Sequence, residues 1–295
     1  ALDQGCFSSV EELVYPYLKD RASHWDNRAR AVTIQSILTM TSGFDCDDHR
    51  GESFRCEKAM AGTDDWVDFA INLPMAHAPG KHWAYNSASL FLLNEVIART
   101  SGLSVPQFAD RYLLKPLGIH DFQWGSDPSG RAWLGGGASM RPRDMVKFGQ
   151  MCLEKGVWQG RRIVSEAWLS EATRCHAHSE YGQEYGYLWW LGRQEIHGRS
   201  FKAFWALGNG GQVIFVCPDV ELVAVFTGGN YNSLLELQFM GLLIDYIFPA
   251  ILGPGTEKPR VIPSDAAREE LSGTYRCRDL QLDLLAKEKG LYGRL

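Results

Sequence analysis

The chain has 295 residues, of which 45% are hydrophobic and 12% aromatic, so it is long and apolar enough to bury a substantial core. This composition excludes a disordered or fibrous protein. With 35 acidic and 30 basic residues the formal net charge is −5, and lysine and arginine are not clustered, so we expect no nucleic-acid partner.

The most apolar long run covers Leu234–Phe248 and is interrupted by Glu236, Gln238 and Asp245. It is shorter than the roughly 20 uninterrupted apolar residues that a spanning helix needs, so we expect no membrane span. The start of the sequence has neither the basic patch nor the apolar stretch of an export signal. The sequence gives no indication of the oligomeric state.

Residues 8–184 repeat their apolar positions with helical spacing, which predicts a mainly helical part. Four helices in it carry residues typical of helix starts, and a glycine follows three of them. The predicted starts are Thr33, Ser87, Ser104 and Pro142, and the glycines are Gly43, Gly102 and Gly156.

Residues 185–248 have the pattern of a sheet followed by a helix. Short stretches rich in β-branched and aromatic residues are separated by turn signals, and an apolar helix begins at Asn232 or Ser233. The predicted strands are residues 186–192, 201–207, 211–217 and 221–227.

These patterns predict a domain over residues 1–248. A linker rich in proline and glycine is expected over 249–263. Residues 264–295 resemble the start of a further small β module, too short to form a core of its own.

Cys46 and Cys56 flank a polar loop, and a disulfide between them would stabilise the fold by roughly 2–4 kcal/mol. The sequence leaves open whether the bond forms; if it does, the protein works in an oxidising compartment. The same loop and the stretch Cys175-His176-Ala177-His178 contain metal-binding residue types. Neither has a second pair of ligands at usable spacing, so we expect solvated loops and no metal.

Common catalytic motifs are absent from the sequence. It has no Gly-x-Ser-x-Gly, no phosphate-binding loop, no Gly-x-Gly-x-x-Gly at a strand–helix junction and no His-Glu-x-x-His. We therefore predict no cofactor.

Several segments together resemble the serine β-lactamase-like hydrolases, a superfamily that includes class C β-lactamases, D-alanyl-D-alanine carboxypeptidases, esterases and the 6-aminohexanoate-dimer hydrolase. The resemblance covers about residues 10–248. The segments that carry it are residues 37–43 (Ile-Leu-Thr-Met-Thr-Ser-Gly), 79–80 (Pro-Gly), 85–87 (Tyr-Asn-Ser), 114–119 (Leu-Lys-Pro-Leu-Gly-Ile), 143–149 (Arg-Asp-Met-Val-Lys-Phe-Gly), 185–190 (Tyr-Gly-Tyr-Leu-Trp-Trp) and 208–212 (Gly-Asn-Gly-Gly-Gln).

This resemblance implies an α/β (α+β) fold of β-lactamase/transpeptidase type, in which helices flank an antiparallel sheet beside a mostly helical domain. It also implies a serine nucleophile in a Ser-x-x-Lys motif and a tyrosine that shares proton transfer. Tyr85 matches that tyrosine, and Ser87 stands where the family's Tyr-x-Asn motif has asparagine. A serine there is also suited to capping a helix, so its role stays open.

The family's Lys-Thr-Gly strand motif falls on Gly208-Asn209-Gly210 or on residues 206–208, and neither register begins with a cation. In penicillin-recognising members that cation pairs with the substrate carboxylate. The resemblance therefore implies a small ester or amide substrate without a carboxylate there. It also implies that a backbone N–H of this strand, that of Asn209, forms half of an oxyanion hole.

No serine of the sequence is followed three residues later by lysine, so the nucleophile itself is absent. We expect that the chain lacks the N-terminal strands and the nucleophile helix, and that it is inactive alone. The predicted function is a serine hydrolase of esterase or amidase type; the alternative is an inactive binding or scaffolding protein. A periplasmic or secreted location is expected, with the cytoplasm as the alternative.

Overall fold

The computed structural model describes residues 1–48, 55–253, 273–277, 280–287 and 290–294. It divides into two compact units, Ala1–Ile251 and Leu252–Leu295. Of the linker predicted over residues 249–263, positions 254–263 lie outside the described part of the chain. The second unit contains an antiparallel three-stranded sheet, one strand more than the single hairpin that the sequence suggested.

Helices dominate the region that the sequence predicts to be helical. Its short pieces are joined by turns, and single-turn 3-10 or π segments extend several of them. The α-helices are α1 (Tyr15–Leu18), α2 (Asn27–Arg30), α3 (Ile34–Leu38), α4 (Arg55–Ala61), α5 (Trp66–Ile71), α6 (Leu92–Ser101), α7 (Val105–Ala109), α8 (Pro142–Leu153), α9 (Glu166–Ala172), α10 (Gln238–Leu242) and α11 (Phe248–Leu252).

The main sheet is six-stranded and antiparallel, in the order β10-β9-β8-β7-β6-β5. Two short hairpins, β1–β2 and β3–β4, interrupt the helical region, and β11–β13 form the sheet of the second unit. The strands are β1 (Phe122–Trp124), β2 (Ala138–Met140), β3 (Val157–Trp158), β4 (Arg161–Arg162), β5 (Ala177–His178), β6 (Glu184–Tyr185), β7 (Trp190–Ile196), β8 (Arg199–Gly208), β9 (Gln212–Cys217), β10 (Leu222–Phe226), β11 (Gly273–Cys277), β12 (Leu280–Lys287) and β13 (Gly290–Arg294).

Local capping explains where several helices begin and end. Thr33 and Ser104 each form a capping box at the start of α3 and α7, and Gly102 ends α6 with a φ of 69°. Gly43 has a φ of 84°, but it lies beyond the end of α3, which Thr39 caps. The prediction that Gly43 ends this helix was therefore wrong.

The strand predicted over residues 186–192 begins later than expected, at Trp190. Leu188 has a φ of 62°, and the Gly186 N–H donates to the Trp189 carbonyl at 2.8 Å, so a tight turn separates β6 from β7. Residues 187–189 resemble a strand in sequence because they are apolar. They are buried or half-buried in the core, which explains their apolar character, but they do not pair in the sheet.

Helix α8 packs against β9 and β10 at Gly149. A Cβ at Gly149 would lie 2.6 Å from Cγ1 of Val223 and 3.0 Å from Cγ2 of Ile214. The backbone of α8 therefore lies directly on the sheet. This contact belongs to a core cluster that includes Met151, Cys152 and Val216, while a second cluster fills the helical part around Val14, Ile37 and Phe91.

The helix predicted after Ser233 runs from Leu234 to Leu252 and is capped by the Ser233 side chain. It has 19 residues and a mean hydropathy of 1.6, so by length and composition alone it is sufficient to cross a membrane, and 17% of it is buried. Such a test is also met by helices that pack on a protein core. The expectation of no membrane span stays a prediction.

Replacing Gly149 by alanine should destabilise the unit by roughly 1–3 kcal/mol, because the added methyl group forces α8 away from the sheet. Gly241 in α10 provides the matched control: it has open space around its Cα, so Gly241→Ala should stabilise by about 0.5–1 kcal/mol through helix propensity. Urea unfolding of both variants measures the difference, and equal effects would contradict the close contact.

Candidate active site

Tyr85 lies in a cluster of four aromatic rings that joins the helical part to the sheet. Its ring stacks on Trp190 with centroids 6.0 Å apart and planes at 12°, and it also contacts Trp83 at 6.1 Å. Trp83 and Trp190 both pack against Tyr185. The ring of Tyr85 is therefore held between Trp190 at the start of β7 and Trp83 of its own segment.

Asp48 fixes the backbone that follows Tyr85. Its N–H donates to the Tyr85 carbonyl at 2.8 Å, and its carboxylate accepts from the N–H of Ser87 at 2.9 Å and of Glu57 at 3.2 Å. The residue is 2% exposed, so the prediction of a solvated loop was wrong at Asp48. Hydrogen bonds to two backbone donors stabilise the buried carboxylate.

The Cys46–Cys56 disulfide is present, with Cα atoms 5.6 Å apart. It joins the segment that contains Asp48 to the start of α4. Residues 49–54 between them lie outside the described part of the chain. The disulfide therefore anchors the chain two residues before Asp48, which is hydrogen-bonded to Tyr85.

Burial raises the pKa of Tyr85 to about 12, and the negative charges of Asp48, Glu57 and Glu236 add to the effect. Burial and Asp48 also raise the pKa of Glu57. Burial of Tyr85 and the negative charges around it favour the protonated phenol. Tyr85 would need a nearby cation before it could accept a proton near neutral pH.

Ser87 is 4% exposed and makes no side-chain capping bond to the helix that follows it. The side chain of Asn86 performs that role, since its Oδ1 accepts from the Ser89 N–H at 2.8 Å. The capping interpretation of Ser87 was therefore wrong. Its proposed part in catalysis remains a prediction.

Gly208 ends β8, and Asn209, Gly210 and Gly211 form the turn to β9. Gly208 pairs with Gln212, and the side chain of Asn209 exchanges two hydrogen bonds with Asn232, at 3.0 and 2.9 Å. The N–H of Gly210 donates to Oε2 of Glu236 at 3.1 Å. The resemblance implied that the N–H of Asn209 faces an oxyanion. In the structure, the N–H that binds a carboxylate is that of the next residue, Gly210.

Glu236 links the two halves of the site, because its charge acts on Tyr85 while its carboxylate accepts from Gly210. Sequence analysis missed Glu236, Asp48 and Glu57. Their positions relative to Tyr85 depend on folding rather than on any motif. Only the proximity of Asp48 to Cys46 could have suggested that it is held in place.

The residues that could hold a metal form two groups in the described part of the chain. Cys46, Asp48 and Cys56 form one, but both sulfur atoms are bonded in the disulfide and unavailable as thiolates. Cys175, His178 and Glu184 form the other.

The Beta-lactamase family profile matches residues 12–232, which is most of the chain. The chain therefore belongs to this family of serine β-lactamase-like proteins. Its fold, an antiparallel sheet with flanking helices and a mostly helical part, confirms the predicted fold class.

Among its relatives is the 6-aminohexanoate-dimer hydrolase of Paenarthrobacter ureafaciens, 26% identical over 152 residues, which are 48% of this chain and 38% of the relative. The lovastatin esterase of Penicillium rubens is 27% identical over 176 residues, covering 50% and 44% of the two chains. The octameric penicillin-binding protein homologue from Pyrococcus abyssi has a similar structure, with a TM-score of 0.65, 19% identity and coverage of 99% and 72%.

The chain spans about half or less of the length of the curated relatives named first among its matches, between 38% and 54%. The structural similarity is at low sequence identity and concerns the fold.

Replacing Asp48 by asparagine should lower the pKa of Tyr85, because a negative charge beside the phenol is removed while burial remains. Labelling of tyrosine Cζ and NMR titration would measure it, with the signal assigned by its loss in Tyr85→Phe. Asp68→Asn, at an exposed carboxylate on α5, is the control and should leave the Tyr85 pKa unchanged. An unaltered pKa in Asp48→Asn would contradict the electrostatic assignment.

Proposed function

We propose that this chain provides the tyrosine and the oxyanion-binding edge of a serine hydrolase of esterase or amidase type. The observation that carries the proposal is the family match over residues 12–232 together with the phenol of Tyr85, which stacks on Trp190 where the helical part meets the sheet. The N–H of Gly210, just beyond the end of β8, donates to the Glu236 carboxylate, so a developing oxyanion would displace this carboxylate to use that donor.

The mechanism assigns the first proton transfer to Tyr85. A phenol whose pKa is about 12 is a poor base until a cation stabilises its phenolate. The lysine of the family's Ser-x-x-Lys motif would supply that cation, and its serine would attack the carbonyl carbon. Tyr85 would then return the proton to the leaving group.

Neither Ser-x-x-Lys residue is within these 295 residues, so we infer that the nucleophile and its lysine come from further polypeptide. Two features of the surface support this. Strand β10 is an outer strand of the sheet, and an unpaired strand edge of apolar residues is usually covered. The helix from Leu234 to Leu252 also exposes Leu234, Leu242 and Ile244.

The proposed substrate is a small neutral ester or amide. The positions that would contact a substrate carboxylate, Ala206 and Gly208, carry no charge, and Glu236 adds a negative charge beside Gly210. Two relatives, named a 6-aminohexanoate-dimer hydrolase and a lovastatin esterase, agree with this chemistry.

The proposed location is the periplasm or the exterior of the cell, which the Cys46–Cys56 disulfide supports because such bonds persist in oxidising compartments. Fractionation followed by thiol labelling of the unreduced protein tests it. Recovery in the cytosol with both thiols reactive would refute it.

A fluorophosphonate probe should label the gene product purified from its own host, with any residues that precede Ala1 included. Tyr85→Phe should slow labelling and ester hydrolysis by about 10²–10⁴-fold, because the proton acceptor is lost. Tyr112→Phe, in the helical part, is the control and should retain the rate. Absence of labelling in the wild type would favour the inactive binding protein instead.

The same preparation should hydrolyse a neutral nitrophenyl ester faster than a β-lactam or a peptide that ends in D-alanine. The physical reason is that an anionic substrate meets Glu236 and no compensating cation at the strand. Ratios of kcat/KM measure the preference. A higher kcat/KM for the carboxylate-bearing substrates would contradict the proposed substrate class.

A further inference from the structure

We propose that Cys175, His178 and Glu184 bind one zinc ion on the hairpin formed by β5 and β6. Their ligand atoms all lie within 4.8 Å of one another. Sequence analysis rejected a metal in this segment because Cys175 and His178 lacked further ligands. The fold supplies the missing ligand from the opposite strand.

The register of the hairpin brings two of the ligands together. His178 is the direct cross-strand partner of Glu184, so their side chains project from the same face. Hydrogen bonds on both sides fix this register: Ser179 N–H donates to the Gln183 carbonyl at 2.8 Å, and His176 N–H to the Tyr185 carbonyl at 2.9 Å.

The distance between the other pair is already close to that of a zinc site. Sγ of Cys175 lies 3.8 Å from Nε2 of His178. Typical Zn–S and Zn–N bonds at a tetrahedral angle place the two ligand atoms about 3.6 Å apart. The carboxylate of Glu184 is exposed, so its side chain can rotate to complete the set without disturbing the core.

The Cys175 thiol donates to the Ala177 carbonyl at 3.4 Å, a hydrogen bond that is lost when the thiol ionises to bind a metal. His176 is occupied elsewhere, since its Nε2 contacts the Glu171 carbonyl at 2.8 Å and its ring stacks on Tyr187 at 4.0 Å. Cys175 is the partly exposed free thiol of the described chain, whereas Cys6, Cys152 and Cys217 are buried.

The donor set indicates which ion fits. A thiolate, an imidazole and a carboxylate suit zinc better than the hard cations calcium and magnesium, which prefer oxygen ligands. Three protein ligands leave a fourth position for water or a small anion. His178 also lines a cavity of about 500 Å³ whose other walls include Lys81, His82 and Trp83. Trp83 in turn contacts Tyr85 at 6.1 Å, so the site borders the same region of the molecule.

Cobalt(II) is the spectroscopic probe for this site. The chelator-treated chain, with its Cys46–Cys56 disulfide intact, should bind one equivalent, with visible bands of tetrahedral intensity and a thiolate-to-cobalt charge-transfer band. Zinc should displace the cobalt stoichiometrically. Cys175→Ser should abolish the charge-transfer band, and Cys6→Ser, at a buried thiol, should retain it.

Glu184→Gln tests the site without risk to folding, because that side chain is exposed on a hairpin. The variant should retain the charge-transfer band, because Cys175 is unchanged. Its zinc affinity should fall by more than roughly 10- to 100-fold, which is the loss typical for a group that contacts a ligand rather than the metal itself. Glu180→Gln, in the same hairpin, should bind as tightly as the wild type. Absence of one-equivalent binding, or a charge-transfer band that persists in Cys175→Ser, would overturn the proposal.

Discussion

The candidate site depends on one buried carboxylate, that of Asp48. It accepts the N–H groups of Glu57 and Ser87, while its own N–H binds the carbonyl of Tyr85. The segments that contain Asp48, Glu57 and Tyr85 are therefore joined at a single residue. Loss of these bonds would leave buried polar groups unsatisfied, at a cost of about 1–3 kcal/mol each. The disulfide at Cys46 holds the same segment covalently.

The negative charge around Tyr85 determines what the site requires. Asp48, Glu57 and Glu236 all raise the phenol pKa, in the same direction as burial. A region with this electrostatic balance attracts a cation and disfavours an anionic ligand. The two requirements of the proposed mechanism, a lysine beside the phenol and an uncharged substrate, therefore follow from the same three carboxylates.

Sequence could predict features that depend on neighbouring residues. The caps at Thr33 and Ser104 and the end of α6 at Gly102 were correct, because the hydrogen bonds involved are local. The family was also correctly identified from ordered short segments, since these persist at low identity. The start of β7 was predicted too early, because nothing in the sequence indicates that Leu188 adopts a left-handed conformation.

Other features could not be predicted because they arise only when distant segments meet. Asp48 belongs to a polar stretch typical of a surface loop, and its burial results from packing against Tyr85 and Ser87. Glu236 lies in a helix whose pattern is otherwise apolar, so its contact with Gly210 has no counterpart in sequence spacing. The pairing of His178 with Glu184 likewise depends on hairpin register.

The turn after β8 contains two consecutive glycines with φ near 90°, Gly210 and Gly211. A Cβ at Gly210 would lie 2.8 Å from the ring of Tyr231, so no side chain fits there. At Gly210 and Gly211 the turn presents main chain without side chains of its own, and the ring of Tyr231 lies beside it. In the proposed enzyme this main chain would polarise a carbonyl group without distinguishing one substituent from another. Discrimination between acyl groups would then fall to the indole and phenol surfaces around Tyr85, and exchanging those rings would be the direct route to altered selectivity.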